Sequence, residues 1–172
     1  KLLGHTGKYD FVITEIGGTV GDIESLPFVE AIRQLRWEMP QDSLVIHLTL
    51  VPYLSAAQEL KTKPTQHSVK SLQEQGVQPD IIVCRCEKHL TTSIKSKIAL
   101  FCNVEKTSVI ECIDADSIYD VPVLMMNEGL DREVLRKTNS PISDKVDIEN
   151  WKEFLHHLHN PKHDITVGLV GK

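Results

Sequence analysis

A doubly wound α/β domain, with a mainly parallel sheet and helices on both faces, is the fold class the sequence predicts. Three observations point to it. Short runs rich in Val and Ile alternate with amphipathic stretches, the pattern of βαβ units. The runs are apolar almost throughout, as strands covered on both faces are. The residues just after them are unusually polar, as expected where an open parallel sheet binds ligands beyond the carboxyl ends of its strands. With 172 residues, the chain has room for one ordinary domain and an appendage.

The elements follow in order. Asp10 to Thr14 (DFVIT) is the first predicted strand, and three glycines and three carboxylates come directly after it in Glu15 to Ser25. A helix is predicted over Leu26 to Glu38, with Asp22 to Ser25 placed to cap it. Ser43 to Leu50 is the second strand. Val51 to Glu59 leads to Lys61-Thr62-Lys63-Pro64-Thr65-Gln66, where Pro64 suits the first turn of a helix running over Thr65 to Gln75. Asp80 to Cys86 is the third strand, Ser93 to Asn103 the helix behind it, and Ser108 to Ile113 the fourth strand. Helices are predicted over Ile118 to Asn127, Asp131 to Lys137 and Glu149 to Leu158. From Thr138 to Asp147 the periodicity is lost, as in a linker. Asp164 to Val170 is a last apolar, strand-like run.

Composition excludes several classes. Apolar residues make up 41% and charged residues 25%, which does not fit a disordered, collagenous or coiled-coil chain. A net charge of −5 argues against nucleic acid as the main partner. No apolar run reaches the ~20 residues that span a bilayer, and the start lacks the apolar core of a signal peptide, so no membrane partner is expected. Cys84, Cys86, Cys102 and Cys112 are too few and too clustered for a disulfide scaffold and read as reduced thiols of a cytoplasmic protein. The absence of an initial Met and the apolar run at the end read as a fragment.

Charge is sorted along the chain. Residues 10 to 24 carry Asp10, Glu15, Asp22 and Glu24 and no Lys or Arg, whereas residues 59 to 70 carry Lys61, Lys63 and Lys70 against Glu59. One rim of the sheet would then offer both cation and anion ligands, which suits a metal-bound polyanion such as a nucleoside triphosphate. In the Gly-rich loop, Glu15 is best placed as a Mg²⁺ ligand. The competing reading is a tight connection in which Gly17, Gly18 and Gly21 supply positive φ. Those glycines are no Walker A loop, since no Lys-Ser/Thr follows them. The N–H groups near Thr65 and Gln66 lie at a positive dipole end beside two lysines, a phosphate cradle or else a solvated basic helix start. Lys97, taken alone, reads as a surface lysine. His156, His157, His159 and His163 lack a cysteine nearby to complete a zinc site, and Pro161 interrupts the helix between them. Cys84-x-Cys86 reads as core packing.

Two strings carry a specific resemblance: EIGGTVGDIESLPF at Glu15 to Phe28 and KTKPTQHSV at Lys61 to Val69. With HLTLVPY (His47 to Tyr53), KIALFCNV (Lys97 to Val104), DSIYDVP (Asp116 to Pro122) and VGLVGK (Val167 to Lys172), the chain resembles the CTP synthase family over nearly its whole length, least between Glu128 and His163. The resemblance implies ATP-dependent amination of UTP to CTP by glutamine-derived ammonia, on a P-loop-type synthetase domain. It implies that Glu15 is a Mg²⁺ ligand, and that Asp22, Ile23 and Glu24 belong to the site where CTP inhibits. Lys61, Thr62, Lys63, Pro64, Thr65, Gln66 and Lys97 are implied as contacts of UTP and CTP, and Ile113, Asp114 and Ala115 as adenine-side contacts of ATP, with Arg85 as a neighbour. Phe101, one helical turn beyond Lys97, is placed to stack on the cytosine base.

The same resemblance implies three segments: residues 1–137 as the C-terminal part of the synthetase domain, 138–163 as an interdomain linker with a helix, and 164–172 as the first strand of a glutaminase domain. It places the ATP phosphate loop and a second metal-binding Asp upstream, and the glutaminase nucleophile downstream. An inactive isolated chain is therefore expected, with ammonia supplied by the glutaminase domain of a homotetramer that has UTP sites between subunits. The competing class is a nucleotide-binding or assembly module without catalysis.

Overall fold

A computed structural model describes residues 1–143 and 145–171. Its centre is a parallel sheet of three strands. The chain enters through helix α1 (Leu26–Glu38) and reaches β1 (Ile46–Leu50). A short antiparallel hairpin follows, β2 (Tyr53–Leu54) with β3 (Glu59–Leu60). Then come α2 (Lys63–Glu74), β4 (Ile81–Cys86), α3 (Thr92–Cys102) and β5 (Val109–Ile113). Helices α4 (Val121–Asn127), α5 (Leu130–Lys137) and α6 (Glu149–His159) complete the order.

The sheet order is β1-β4-β5. Leu50 pairs with Arg85, and Arg85 with Cys112, so the three carboxyl ends finish level. Side chains alternate across the pleat and build two cores. On one face Ile82, Cys84, Cys86 and Val109 meet Val69 of α2 and Ile98, Ala99 and Cys102 of α3. On the other, Ile81, Val83 and Ile110 meet Met125 of α4 and Leu130 and Val134 of α5. Helices thus cover both faces, as the doubly wound reading requires. Each fully buried Ile or Val contributes roughly 1.5 to 3 kcal/mol.

Helix α1 packs Val29 and Ile32 against Leu72 and Val77, with Val20 and Val45 beside them. Its last turn is tied to the sheet: Arg36 pairs with Asp80 Oδ1 at 3.0 Å, while Asp80 Oδ2 accepts the Val45 N–H at 2.7 Å. At the opposite edge, the outward N–H of Glu111 in β5 donates to the Glu128 carboxylate at 3.3 Å, which also holds Lys95 at 2.7 Å.

Two predicted strands do not form. Asp10 to Thr14 and residues 164–170 are irregular and exposed, with Ile13 and Leu169 almost fully accessible. Both have the apolar content of a strand, but a strand is stable only when its N–H and C=O groups are paired in a ladder. Among the described residues neither segment has such a partner. Asp144 in the predicted linker and Lys172 at the end of the last predicted strand lie outside the described residues. The predicted helix over Ile118 to Asn127 splits into a 3₁₀ turn at Ile118–Asp120 and α4, with Pro122 in the first turn of the latter.

Candidate functional site

The level strand ends and the start of α2 form one rim. Hairpin β2–β3 connects β1 to α2 at this rim and is closed by Lys61 N–H donating to Pro52 O at 2.9 Å. Lys88, just beyond β4, sets its ammonium 5.8 Å from the centre of the Tyr53 ring, a cation–π distance. Neither hairpin nor contact was legible in the sequence, because two-residue strands carry no periodic signal.

Residues Lys61 to Gln66 divide by role. Thr65 is fully buried, and its Oγ1 donates to Leu50 O at 3.0 Å, fastening the helix start to the end of β1. Thr62 is buried too, its Oγ1 accepting from Gln66 Nε2 at 3.1 Å. Lys63 and Pro64 are exposed, and Lys61 is half-buried and paired with Glu59. The N–H of Gln66 is taken up by Thr62 O at 3.1 Å, which corrects the expectation that it is open. The Lys63 and Thr65 N–H groups have no acceptor among the described residues. They lie at the positive end of a 12-residue helix beside two lysines, an arrangement suited to an anion.

The Gly-rich loop lies elsewhere on the same helix. A Cβ at Gly21, where φ is +103°, would stand 3.4 Å from Ser71 Oγ. Ser71 is two turns beyond Lys63, a rise of about 12 Å at 1.5 Å per residue. Asp22 spends its carboxylate locally, Oδ2 accepting the Thr19 N–H at 3.3 Å. Ser25 does not cap α1 through its side chain; its hydroxyl donates back to Asp22 O at 2.8 Å. Ile23 and Glu24 are exposed, and the Glu24 carboxylate passes near Gly18. Within one copy, then, the acidic loop and the basic helix start occupy opposite ends of α2.

At the exit of β4 and β5, Arg85 Nε donates to Asp114 Oδ1 at 3.1 Å, and the Asp114 N–H donates to Cys86 O at 3.0 Å. Ile113 and Ala115 flank this pair and are half-buried. Buried Glu111 sits behind them. Its oxygens accept from His89 Nδ1 at 2.6 Å and the Leu90 N–H at 2.5 Å, fixing the loop that enters α3. Thr91 caps that helix by accepting the Ile94 N–H. Lys97 and Phe101 follow on α3, both exposed and one turn apart. Glu111 had no sequence signal beyond its place in an apolar strand.

Glu15 is exposed and has no hydrogen-bond or ion-pair partner among the described residues. No group of three or more His, Cys, Asp or Glu residues able to hold a metal occurs among them. A lone carboxylate fits Mg²⁺, which takes its remaining ligands from phosphate and water. Burial raises the pKa of all four cysteine thiols. Those of Cys84 and Cys86 are pushed up to about 12 and that of Cys102 up to about 11, so all three stay protonated at neutral pH. A cleft of about 350 Å³ between α3, α5 and the start of β5 contains none of the predicted nucleotide contacts. Among the described residues no helix is long and apolar enough to cross a membrane.

Residues 2–140 match the family model described as CTP synthase N-terminus. The chain is 63% identical over 173 aligned positions to a CTP synthase of Cytophaga hutchinsonii, an alignment that takes in 100% of the chain and 32% of that protein. It is 58% identical to CTP synthases of Flavobacterium psychrophilum and Bacteroides fragilis, again over 100% of the chain and 32% of each relative. The chain therefore spans about a third of the length of the curated relatives it matches.

Proposed function

Because this chain belongs to the CTP synthase family, we propose that it supplies the pyrimidine-nucleotide part of an enzyme that aminates UTP to CTP at the expense of ATP. The observation that carries this reading is the start of α2, where two lysines stand beside two N–H groups that lack an acceptor among the described residues. Such a cradle takes the triphosphate shared by UTP and CTP, with Lys97 contributing from α3. The ATP side is assigned to Ile113, Asp114 and Ala115, with Arg85 held against Asp114. Phosphorylation of uracil O4 makes it a leaving group, and ammonia from glutamine displaces it as phosphate. Glu15 would hold Mg²⁺, which supplies neutralisation of the phosphate charge. Asp22, Ile23 and Glu24 form the inhibitory CTP subsite, with Phe101 stacking on the base.

The 12 Å or so between Ser71 and Lys63 along α2 supports one further step. A pocket that uses both the acidic loop and the basic helix start is completed by a second copy, in keeping with the homotetramer the resemblance implies. Residues 1–137 are assigned to the synthetase domain, 138–163 to the linker and 164–172 to the start of the glutaminase domain. The test is an assay of the full-length protein with UTP, ATP, Mg²⁺ and glutamine. CTP formation that requires all four is expected. Formation of no CTP, with nucleotides still bound, would leave only a binding module.

A further inference from the structure

Helix α6 lies in the predicted linker, yet it is fastened to the segment that follows the proposed ATP contacts. Trp151 Nε1 donates to Tyr119 O at 3.0 Å. His159 Nε2 lies 2.8 Å from Asp120 Oδ1. Between these two bonds the rings pack together. Tyr119 meets Phe154 edge-on with centroids 5.3 Å apart, and Trp151 stands 5.4 Å from Phe154 and 6.3 Å from Tyr119. The fastened residues are the 3₁₀ turn Ile118–Asp120, itself capped by Ser117 Oγ accepting the Tyr119 N–H.

Asp114 to Asp120 is therefore clamped at both ends. In front, Asp114 is bonded to Cys86 O and Arg85 of β4. Behind, the turn is bonded to α6. The three rings are partly exposed, so this contact is a clasp on the surface and no part of either sheet core. A clasp of that kind removes freedom from the loop it holds, and a loop ordered beforehand binds its ligand at lower entropic cost.

We propose that α6 clasps the ATP-side loop and that Trp151 and His159 are positioning residues for ATP. This rests on the assignment of Ile113, Asp114 and Ala115 to ATP made above. It also links the linker mechanically to the synthetase site, because any movement that withdraws α6 loosens the rear of the loop.

The full-length enzyme tests it through four variants: Trp151→Phe, which keeps a ring and loses the N–H, His159→Ala, His159→Gln, and Trp151→Phe with His159→Ala. Loss of one such hydrogen bond should raise KM for ATP about threefold and the double loss about tenfold. KM for UTP and kcat should stay within about twofold, and His159→Gln, which retains an amide donor, should recover most of the loss. An unchanged KM for ATP, or equal rises for ATP and UTP, would overturn the proposal. Hydrogen exchange of the Asp114 to Asp120 amides, expected to quicken in the double variant, reads the clasp independently of turnover. If the wild type made no CTP, the functional reading would fall while exchange still decided the clasp; unaltered exchange would sink it.

Discussion

Arg85 Nε reaches Asp114 Oδ1 over 3.1 Å and joins the ends of β4 and β5 just where the sheet gives way to loop. Both side chains are about half or more exposed, and pairs of this kind contribute only about 0.2 to 1 kcal/mol to stability. A role in binding ATP predicts a larger effect. Arg85→Ala in the full-length enzyme should leave the melting temperature nearly unchanged and raise KM for ATP about tenfold, the scale of one charged hydrogen bond. A lowered melting temperature with an unaltered KM would make the pair purely structural.

The lysines should not be equivalent. Lys63 and Lys97 are exposed and have no ion-pair partner among the described residues, whereas Lys61 is held by Glu59. Lys63→Ala and Lys97→Ala should each weaken UTP roughly tenfold, since a charge-assisted contact is worth about 1.5 to 3 kcal/mol. Lys61→Ala should cost less, and Glu59→Gln should tighten UTP by freeing the ammonium. Calorimetric titration with UTP and with uridine checks this: the losses should shrink for the nucleoside, and equal losses for both would refute a phosphate role.

What could be read in advance was local. The bounds of α1 match the expected Leu26 to Glu38, and β1, β4 and β5 fall inside three of the predicted strands. In each, apolar content or amphipathic spacing agrees with what the tertiary structure buries. Asp10 to Thr14 has the same apolar content and forms no strand, because pairing depends on a neighbour that composition does not encode. The start of α2 was legible for a similar reason, since Pro64 and two lysines within four residues act through the nearest backbone. The separation of Asp22 and Glu24 from that helix start was not. It follows from Val20 packing on the cluster of Val29, Leu72 and Val77 and from Gly21 lying against Ser71, the latter a contact between residues about fifty apart in the chain.

His47 makes a pH prediction. It is buried on β1 with Nε2 2.8 Å from Ser68 Oγ of α2, and burial holds its pKa below the ordinary 6.5. The unfolded chain then binds this proton more readily than the folded one, so the stability His47 contributes is complete above the unfolded value and falls as pH drops below it. Denaturant melts from pH 8 to 5 should show that decline, and His47→Gln should flatten it. Parallel slopes for the two proteins would move the dependence to the other histidines.

The last prediction separates substrate from inhibitor. UTP and CTP share a triphosphate but differ at C4, where UTP has a carbonyl acceptor and CTP an amino donor, so one base pocket cannot suit both. If Lys61, Lys63 and Lys97 hold the common triphosphate, the cytidine half must turn toward acceptors that the uridine half does not use. Asp22 is already engaged by the Thr19 N–H, whereas Glu24 is exposed and has no hydrogen-bond partner among the described residues. Glu24→Ala in the full-length enzyme should therefore relieve CTP inhibition about tenfold or more, with little change in the UTP requirement, and should exceed the effect of Asp22→Asn. Glu24 also precedes α1, where a carboxylate favours the helix dipole by about 0.5 kcal/mol. Inhibition curves for CTP at fixed UTP distinguish the two roles, because a dipole contribution alone would lower the melting temperature slightly and leave the CTP midpoint where it was.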